Sequence, residues 1–219
     1  GGKHSLFNTM FALVDEGDEV IIPSPYWLTY PEQVKGCGGK PVVVKCPPDQ
    51  GFKMKPEQLR EAITSRTVAV ILNSPSNPTG AVYSREELEA LGEVLRDNPN
   101  VAIISDDLYQ KLVYEDAAFY SLPALMPELK ERTIIVNGLS KAYSMTGWRL
   151  GWTAWPKEVI QVMSNLQGQS TSNVTAFTQR AAATALLSDH KFLVPWKETF
   201  NKRRRLIVDL LNAIPGVKC

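Results

Sequence analysis

Cysteine is scarce in this chain: Cys37, Cys46 and Cys219 are the whole complement of 219 residues. An odd number without metal-ligand spacing excludes a disulfide scaffold and a zinc module, and places the protein in a reducing compartment, the cytoplasm. An excess of either charge is also missing. Twenty-four Lys+Arg balance 23 Asp+Glu to a net charge of +1, so no electrostatic case exists for nucleic acid or an anionic membrane surface. The densest basic run, Lys202–Arg205 between TFN and LIVDLL, reads as the solvated face of a long helix. No apolar run reaches the roughly 18 residues that a membrane span needs. Internal repeats, low-complexity tracts and interdomain linkers are absent too, and no secretory or transit segment is visible in a chain that opens without Met, as GGKHS.

What is present is alternation. Strand-like apolar runs occur at 19–25, 40–46, 67–73, 101–107, 133–138 and 150–155. Helical spacing of apolar residues fills the intervals, as at Leu6, Met10, Leu13 and Val14, or Leu88, Leu91, Val94 and Leu95. The second of these opens with Ser84 and Glu87, a capping box, and a further helix is expected from Pro156. VAVIL and VAII are apolar on both faces, as strands covered on both sides must be. The pattern predicts an α/β fold with three α/β/α layers: a mostly parallel sheet, helices on both faces, and only helices after about residue 155. The whole of 1–219 reads as one domain.

In such sheets ligands collect beyond the carboxyl ends of the strands. The polar residues expected there are Trp27 in PSPYW, Asn77 in NSPSNPTG, Asp106 and Tyr109 in SDDLY, and Lys141 in NGLSK, with Arg149 eight residues on. The opening GGK, with Gly2 and Lys3, precedes a helix whose first N–H groups suit an anion. A lysine past a buried strand is costly unless it reaches water or has chemistry to do. Its amine can form a Schiff base with a carbonyl compound. Arg149 and the helix start suit a phosphate. Asp106 at a buried strand end needs a cation, which a protonated pyridine nitrogen supplies. Tyr109 and Asn77 can bond a phenolate oxygen, and Trp27 offers a face to a flat ring. One molecule joins aldehyde, phosphate, pyridine and phenolate: pyridoxal 5′-phosphate.

GGK, SPYW, NSPSNPTG, SDDLY and SKAYSMTGWR also stand in an order and spacing that resemble fold-type I aminotransferases, closest to the aspartate aminotransferase group, over essentially the whole chain. The resemblance implies a pyridoxal-phosphate transferase large domain. In it, Lys141 is the Schiff-base lysine and proton shuttle, Asp106 the partner of the ring nitrogen, and Asn77 and Tyr109 the partners of the ring oxygen. Trp27 stacks on the ring and lines the substrate pocket, and Arg149, with the Gly2 and Lys3 amides, holds the phosphate. Substrates are an amino acid, aspartate or a similar one, and a 2-oxo acid, in a homodimer whose sites are completed by the other subunit. Two departures stand out. Gly138 occupies a position where relatives often place a phosphate-binding Ser, which leaves Ser140 to compensate. The family's N-terminal segment and most of its C-terminal small domain, with the arginine that binds the substrate α-carboxylate, are not in this stretch, toward which the last helix leads. The 219 residues alone are therefore expected to bind the cofactor weakly and to turn over negligibly.

Each residue has a plainer alternative. Lys141 also reads as a surface loop lysine, Asp106 as the N-cap of a helix over LYQKLV, Asn77 as a turn residue, Trp27 as rim packing and Arg149 as half of an ion pair. Lys3 stands open between a helix-start lysine and a partner for a substrate's distal carboxylate. His4 and His190 are given no role, and His190 reads as surface. The same motifs also fit a β-lyase, an aminocyclopropane-carboxylate-synthase-like elimination, or a non-enzymatic effector domain of a transcription regulator.

Overall fold

The computed structural model describes residues 1–219. Six strands form one sheet in the order β2-β1-β3-β4-β5-β6. They are β1 (Glu19–Ser24), β2 (Lys40–Lys45), β3 (Thr67–Asn73), β4 (Ala102–Asp106), β5 (Thr133–Gly138) and β6 (Gly151–Ala154). The first five run parallel, and β6 pairs antiparallel to β5 with Gly138 opposite Gly151. Eight helices accompany them: α1 (Gly2–Leu13), α2 (Thr29–Gly36), α3 (Pro56–Ala62), α4 (Arg85–Arg96), α5 (Leu122–Leu125), α6 (Lys157–Gly168), α7 (Ala176–Leu187) and α8 (Leu193–Asn212). None is long and apolar enough to cross a membrane.

Period-two alternation splits the strand side chains between two cores. Val20, Ile22, Ala69, Ile71, Ile104, Ile134 and Val136 join Leu6 and Met10 of α1 and Tyr30 and Val34 of α2 on one face. Ile21, Val70, Leu72 and Ile103 join Leu59 of α3, Leu91 and Leu95 of α4, and Leu122 of α5 on the other. This is the expected three-layer α/β/α arrangement. Ser84 caps α4 as the motif predicts: its Oγ accepts from Glu87 N at 3.2 Å, and its own N donates to Glu87 Oε2 at 2.7 Å. The far end of α4 is closed by Arg132, whose guanidinium donates to the carbonyls of Leu95, Asn98 and Val101 at 2.8–2.9 Å. A cation at carbonyls left without intrahelical partners is favourable by charge and by hydrogen bonding.

Pro156 caps α6 rather than lying within it, and α6 packs on α1. A third, smaller core joins Leu139, Ala142, Tyr143 and Leu150, from the segment after β5, to Ala182 of α7 and Leu193 of α8. The Lys202–Arg205 run is exposed on α8 as expected, with Arg204 and Arg205 both paired to Glu115 at 2.6 and 2.7 Å. All three cysteines are free thiols.

Candidate active site

The chain leaves β1 toward β2 on one side and returns through β3 on the other, so the connections diverge at the carboxyl ends of β1 and β3. Divergence opens a crevice there. It is lined by Gly2, Lys3, Leu6, Trp27, Tyr30, Asn73, Asn77, Asp106, Leu108, Tyr109 and Lys141 and encloses about 80 Å³. Seven of the eight residues picked out from sequence therefore meet in one cleft. The eighth, Arg149, lines the adjoining groove instead, with Ser144, Trp148 and Asn173. A wider groove of about 410 Å³ between α1, β6 and α6 is lined by amides, hydroxyls and apolar groups and holds no ionisable side chain.

Asp106 is the centre of the cleft's electrostatics. It ends β4 and is 4% exposed, and no lysine, arginine or histidine pairs with it. Burial pushes its carboxyl above the ordinary range, against the opposing pull of hydrogen bonds from the Tyr30 hydroxyl at 2.7 Å and Leu108 N at 3.2 Å. The Leu108 contact is a local side-chain turn, and no helix follows over LYQKLV, so the N-cap alternative does not hold. Burial, reinforced by the adjacent Asp106 carboxylate, drives the Tyr30 hydroxyl well above the usual phenol range, which keeps it a neutral donor.

Asn73 ties two strands' worth of the site together. Its Nδ2 donates to Asp106 O at 2.9 Å, and its Oδ1 accepts from Asn77 N at 2.8 Å. Asn77 then points its amide at Tyr109 Oη, 3.5 Å away, so both polar groups aim at the same space. Lys141 lies in the turn after β5 with Nζ 5.7 Å from the Tyr109 ring centroid, and it forms no ion pair. Lys3 is exposed, its Nζ 5.0 Å from the Trp27 ring centroid. Trp27 is held edge-on by Tyr30 at 5.5 Å.

The N-terminus of α1 meets the segment after β5 from the other side. Gly1 N donates to Arg149 O at 2.8 Å, and a Cβ added to Gly1 would lie 3.5 Å from Arg149 Nη2. The amides of Gly2 and Lys3 are in the first turn, where a helix offers them no carbonyl. Gly151 permits this approach: a Cβ there would stand 2.5 Å from Gly2 N and 2.7 Å from Gly1 C. Gly138 is also confined, though less tightly, because a Cβ would reach Leu150 O at 3.0 Å. The missing Ser hydroxyl thus has a packing reason, while Ser140 is buried beside it.

Sequence reasoning missed Tyr30 and Asn73, both of which bond Asp106. It also misjudged His190, which is part-buried with Nε2 3.0 Å from the Tyr143 hydroxyl rather than free on the surface.

A buried carboxylate without a cation, an unpaired amine in the same cleft, and a guanidinium near the helix-start amides are polar groups that suit a cofactor-dependent transferase. The comparisons agree: the family model for aminotransferase class I and II matches residues 1–219, and the chain belongs to that family. Among its relatives, the aspartate aminotransferase of Geobacillus stearothermophilus is 51% identical over 219 residues, covering 100% of this chain and 56% of the other. The aspartate/prephenate aminotransferase of Nitrosomonas europaea is 47% identical, covering 100% and 55%. The crystal structure of the aspartate aminotransferase from Rhizobium meliloti superposes with a TM-score of 0.98 at 47% identity, covering 100% of this chain and 55% of that one. That from Thermus thermophilus with maleate gives 0.92 at 42%, covering 97% and 55%. The chain spans about half the length of the curated relatives it matches.

Proposed function

We propose that residues 1–219 are the pyridoxal 5′-phosphate-binding large domain of an aminotransferase that moves an amino group from aspartate or a similar L-amino acid to a 2-oxo acid. The observation that carries this reading is Asp106: a buried carboxylate, raised by burial, with neutral donors and no cation of its own. A protonated ring nitrogen is the partner such a group requires. The remaining groups fit the same molecule. Asn77 and Tyr109, which face one another at 3.5 Å, would bond a ring oxygen, Trp27 would cover a ring face, and Arg149 with the Gly2 and Lys3 amides would suit a phosphate.

When bound, pyridoxal phosphate supplies an aldehyde that captures amino groups and a protonated ring that withdraws electrons from the substrate Cα. The chain's own part is positional and protonic. Lys141 provides the amine that anchors the aldehyde and, once displaced by substrate, takes the proton from Cα and returns one during transfer. Asp106 keeps the ring nitrogen protonated, and Tyr30 and Leu108 N keep Asp106 aimed at it. Trp27, Asn77 and Lys3 line the substrate side, where the ammonium of Lys3 suits the distal carboxylate of a dicarboxylic substrate. Relatives named as aspartate and aspartate/prephenate aminotransferases support transamination over elimination or an effector role. A homodimer acting in the cytoplasm is the setting we propose.

The test is the full-length protein, of which these 219 residues are a part, given a panel of amino donors and 2-oxo acids and followed by cofactor absorbance. Borohydride reduction and peptide mapping should place the pyridoxyl group on Lys141, and Lys141→Ala should abolish it. An adduct on another lysine, or spectra that ignore every donor, would refute the reading.

A further inference from the structure

We infer that Tyr143, through its hydrogen bond to His190, is a positioning residue for Lys141, holding the lysine-bearing turn against the start of α8. The inference rests on the proposed role of Lys141.

The turn needs such a hold. After β5 the chain runs irregularly to β6, with left-handed backbone at Ser144 (φ 50°) and Arg149 (φ 55°). Most of its own backbone bonds are long: Leu139 N to Leu150 O and Met145 N to Leu139 O at 3.4 Å, and Trp148 N to Met145 O at 3.3 Å, against one of ordinary length, Ser144 N to Lys141 O at 3.1 Å, which lies within the turn and does not tie it to another element. Lys141 makes no side-chain hydrogen bond, and the Arg149 guanidinium bonds only Thr146 O, within the same segment. One side-chain hydrogen bond leaves residues 139–148 for another element, the 3.0 Å contact between Tyr143 Oη and His190 Nε2.

Packing reinforces that contact. Tyr143 is 5% exposed and lies in the small core with Leu139, Ala142, Ala182 and Leu193. Its ring centroid stands 5.8 Å from those of His190 and Phe192, and Phe192 in turn meets Trp196 of α8 at 5.1 Å. His190 is fixed in left-handed backbone at φ 57°, between Asp189 and Lys191, which pair with each other at 2.9 Å. Lys141 is two residues from Tyr143, so a shift of the α7–α8 connection is delivered to the amine within one turn of chain. Where Nε2 carries no proton it accepts a hydrogen bond from the Tyr143 hydroxyl, and where Nε2 carries one it donates to the phenol oxygen instead. The bond survives either state, which makes it a tether and not a pH switch.

The experiment uses the full chain and reads how fast the cofactor-free protein captures pyridoxal phosphate covalently, by absorbance, with borohydride mapping of the adduct. Tyr143→Phe keeps the ring and removes the bond, His190→Leu removes the partner, and His190→Gln keeps a group that can bond the phenol. Capture should slow about tenfold in Tyr143→Phe and in His190→Leu, and should stay within about twofold of the parent in His190→Gln. The double variant Tyr143→Phe/His190→Leu should be no slower than either single one, as two ends of one contact require. Fully additive losses, equal losses in His190→Gln and His190→Leu, or unchanged capture in Tyr143→Phe would overturn the inference. Absence of a Lys141 adduct in the parent would instead strike the proposed function on which it stands.

Discussion

The Tyr30 hydroxyl donates to Asp106 Oδ2 at 2.7 Å across 76 residues of sequence, with both groups buried. It is the bond that lowers Asp106 most against the rise caused by burial. Tyr30→Phe should therefore destabilise the folded protein by about 1.5–3 kcal/mol, the usual cost of losing a hydrogen bond to a charged group. Urea unfolding at neutral pH measures it, and a loss below about half a kcal/mol would show that Asp106 is already protonated and indifferent to the phenol.

Asp106→Asn keeps the shape of the strand end and removes the charge. In the full-length protein the rate should fall by two or more orders of magnitude, while cofactor occupancy falls far less, because an amide does not hold a ring nitrogen protonated. Parallel measurements of kcat and of bound cofactor after gel filtration decide it; a normal kcat would end the electron-withdrawing role of that partner.

Asp107 gives the pH dependence. It is 4% exposed, and burial pushes its carboxyl up to about 7, with the Ser105 hydroxyl opposing and the Asp106 charge adding to the rise. A carboxyl higher in the folded state than in the unfolded one keeps its proton longer when folded. The unfolded chain then binds fewer protons between about pH 4 and 7, and stability falls as pH rises through that window. The effect is on the order of 3–4 kcal/mol at most, and Asp106 adds to it in the same direction. Asp107→Asn should flatten the slope and leave the cofactor-free protein more stable at pH 8 than its parent. Urea midpoints at pH 5 and pH 8 check this.

Gly151→Ala tests the contact between β6 and α1. The added methyl must displace backbone atoms of Gly1 and Gly2, so the helix start and Arg149 move apart. Overpacking of this kind costs about 1–3 kcal/mol, and cofactor phosphate binding should weaken at least tenfold. Titration with pyridoxal phosphate and with pyridoxal, which lacks the phosphate, separates the effects: equal weakening of both would contradict a phosphate site there.

The sheet was legible because its central strands, β3 and β4, are apolar on both faces. Runs 67–73 and 133–138 match β3 and β5 to the residue, 19–25 and 40–46 overrun β1 and β2 by one residue at one end, and 101–107 and 150–155 overrun β4 and β6 by one residue at each end. Asn77, Asp106, Tyr109 and Lys141 were legible because each stands just past such a run. Tyr30 was not, since its partner is 76 positions away and a tyrosine in a helix carries no mark of what it faces. Asn73 ends β3 within an apolar pattern, and only the pairing of Asn73 with Asp106 across strands reveals its double duty. Arg149 was chosen for its charge, but sequence gave no way to see that β6 would turn it into the neighbouring groove, reaching the helix start from behind. His190 looked like surface because its contact with Tyr143 spans 47 residues.

The bond from Gly1 N to Arg149 O closes a separation of 148 residues, and α1 packs on β5, β6 and α6, all from the second half of this chain. During synthesis at roughly 5–20 residues per second, α1 thus waits several seconds or more for β5, β6 and α6, with β1 and α2 its early cover over Leu6 and Met10. Contacts this distant in sequence carry the largest loop-closure entropy and are formed late. The nascent chain therefore assembles the central strands before the anion-binding end exists. Chaperone demand should concentrate on α1, and added cofactor has nothing to grip until α1 has met the segment after β5.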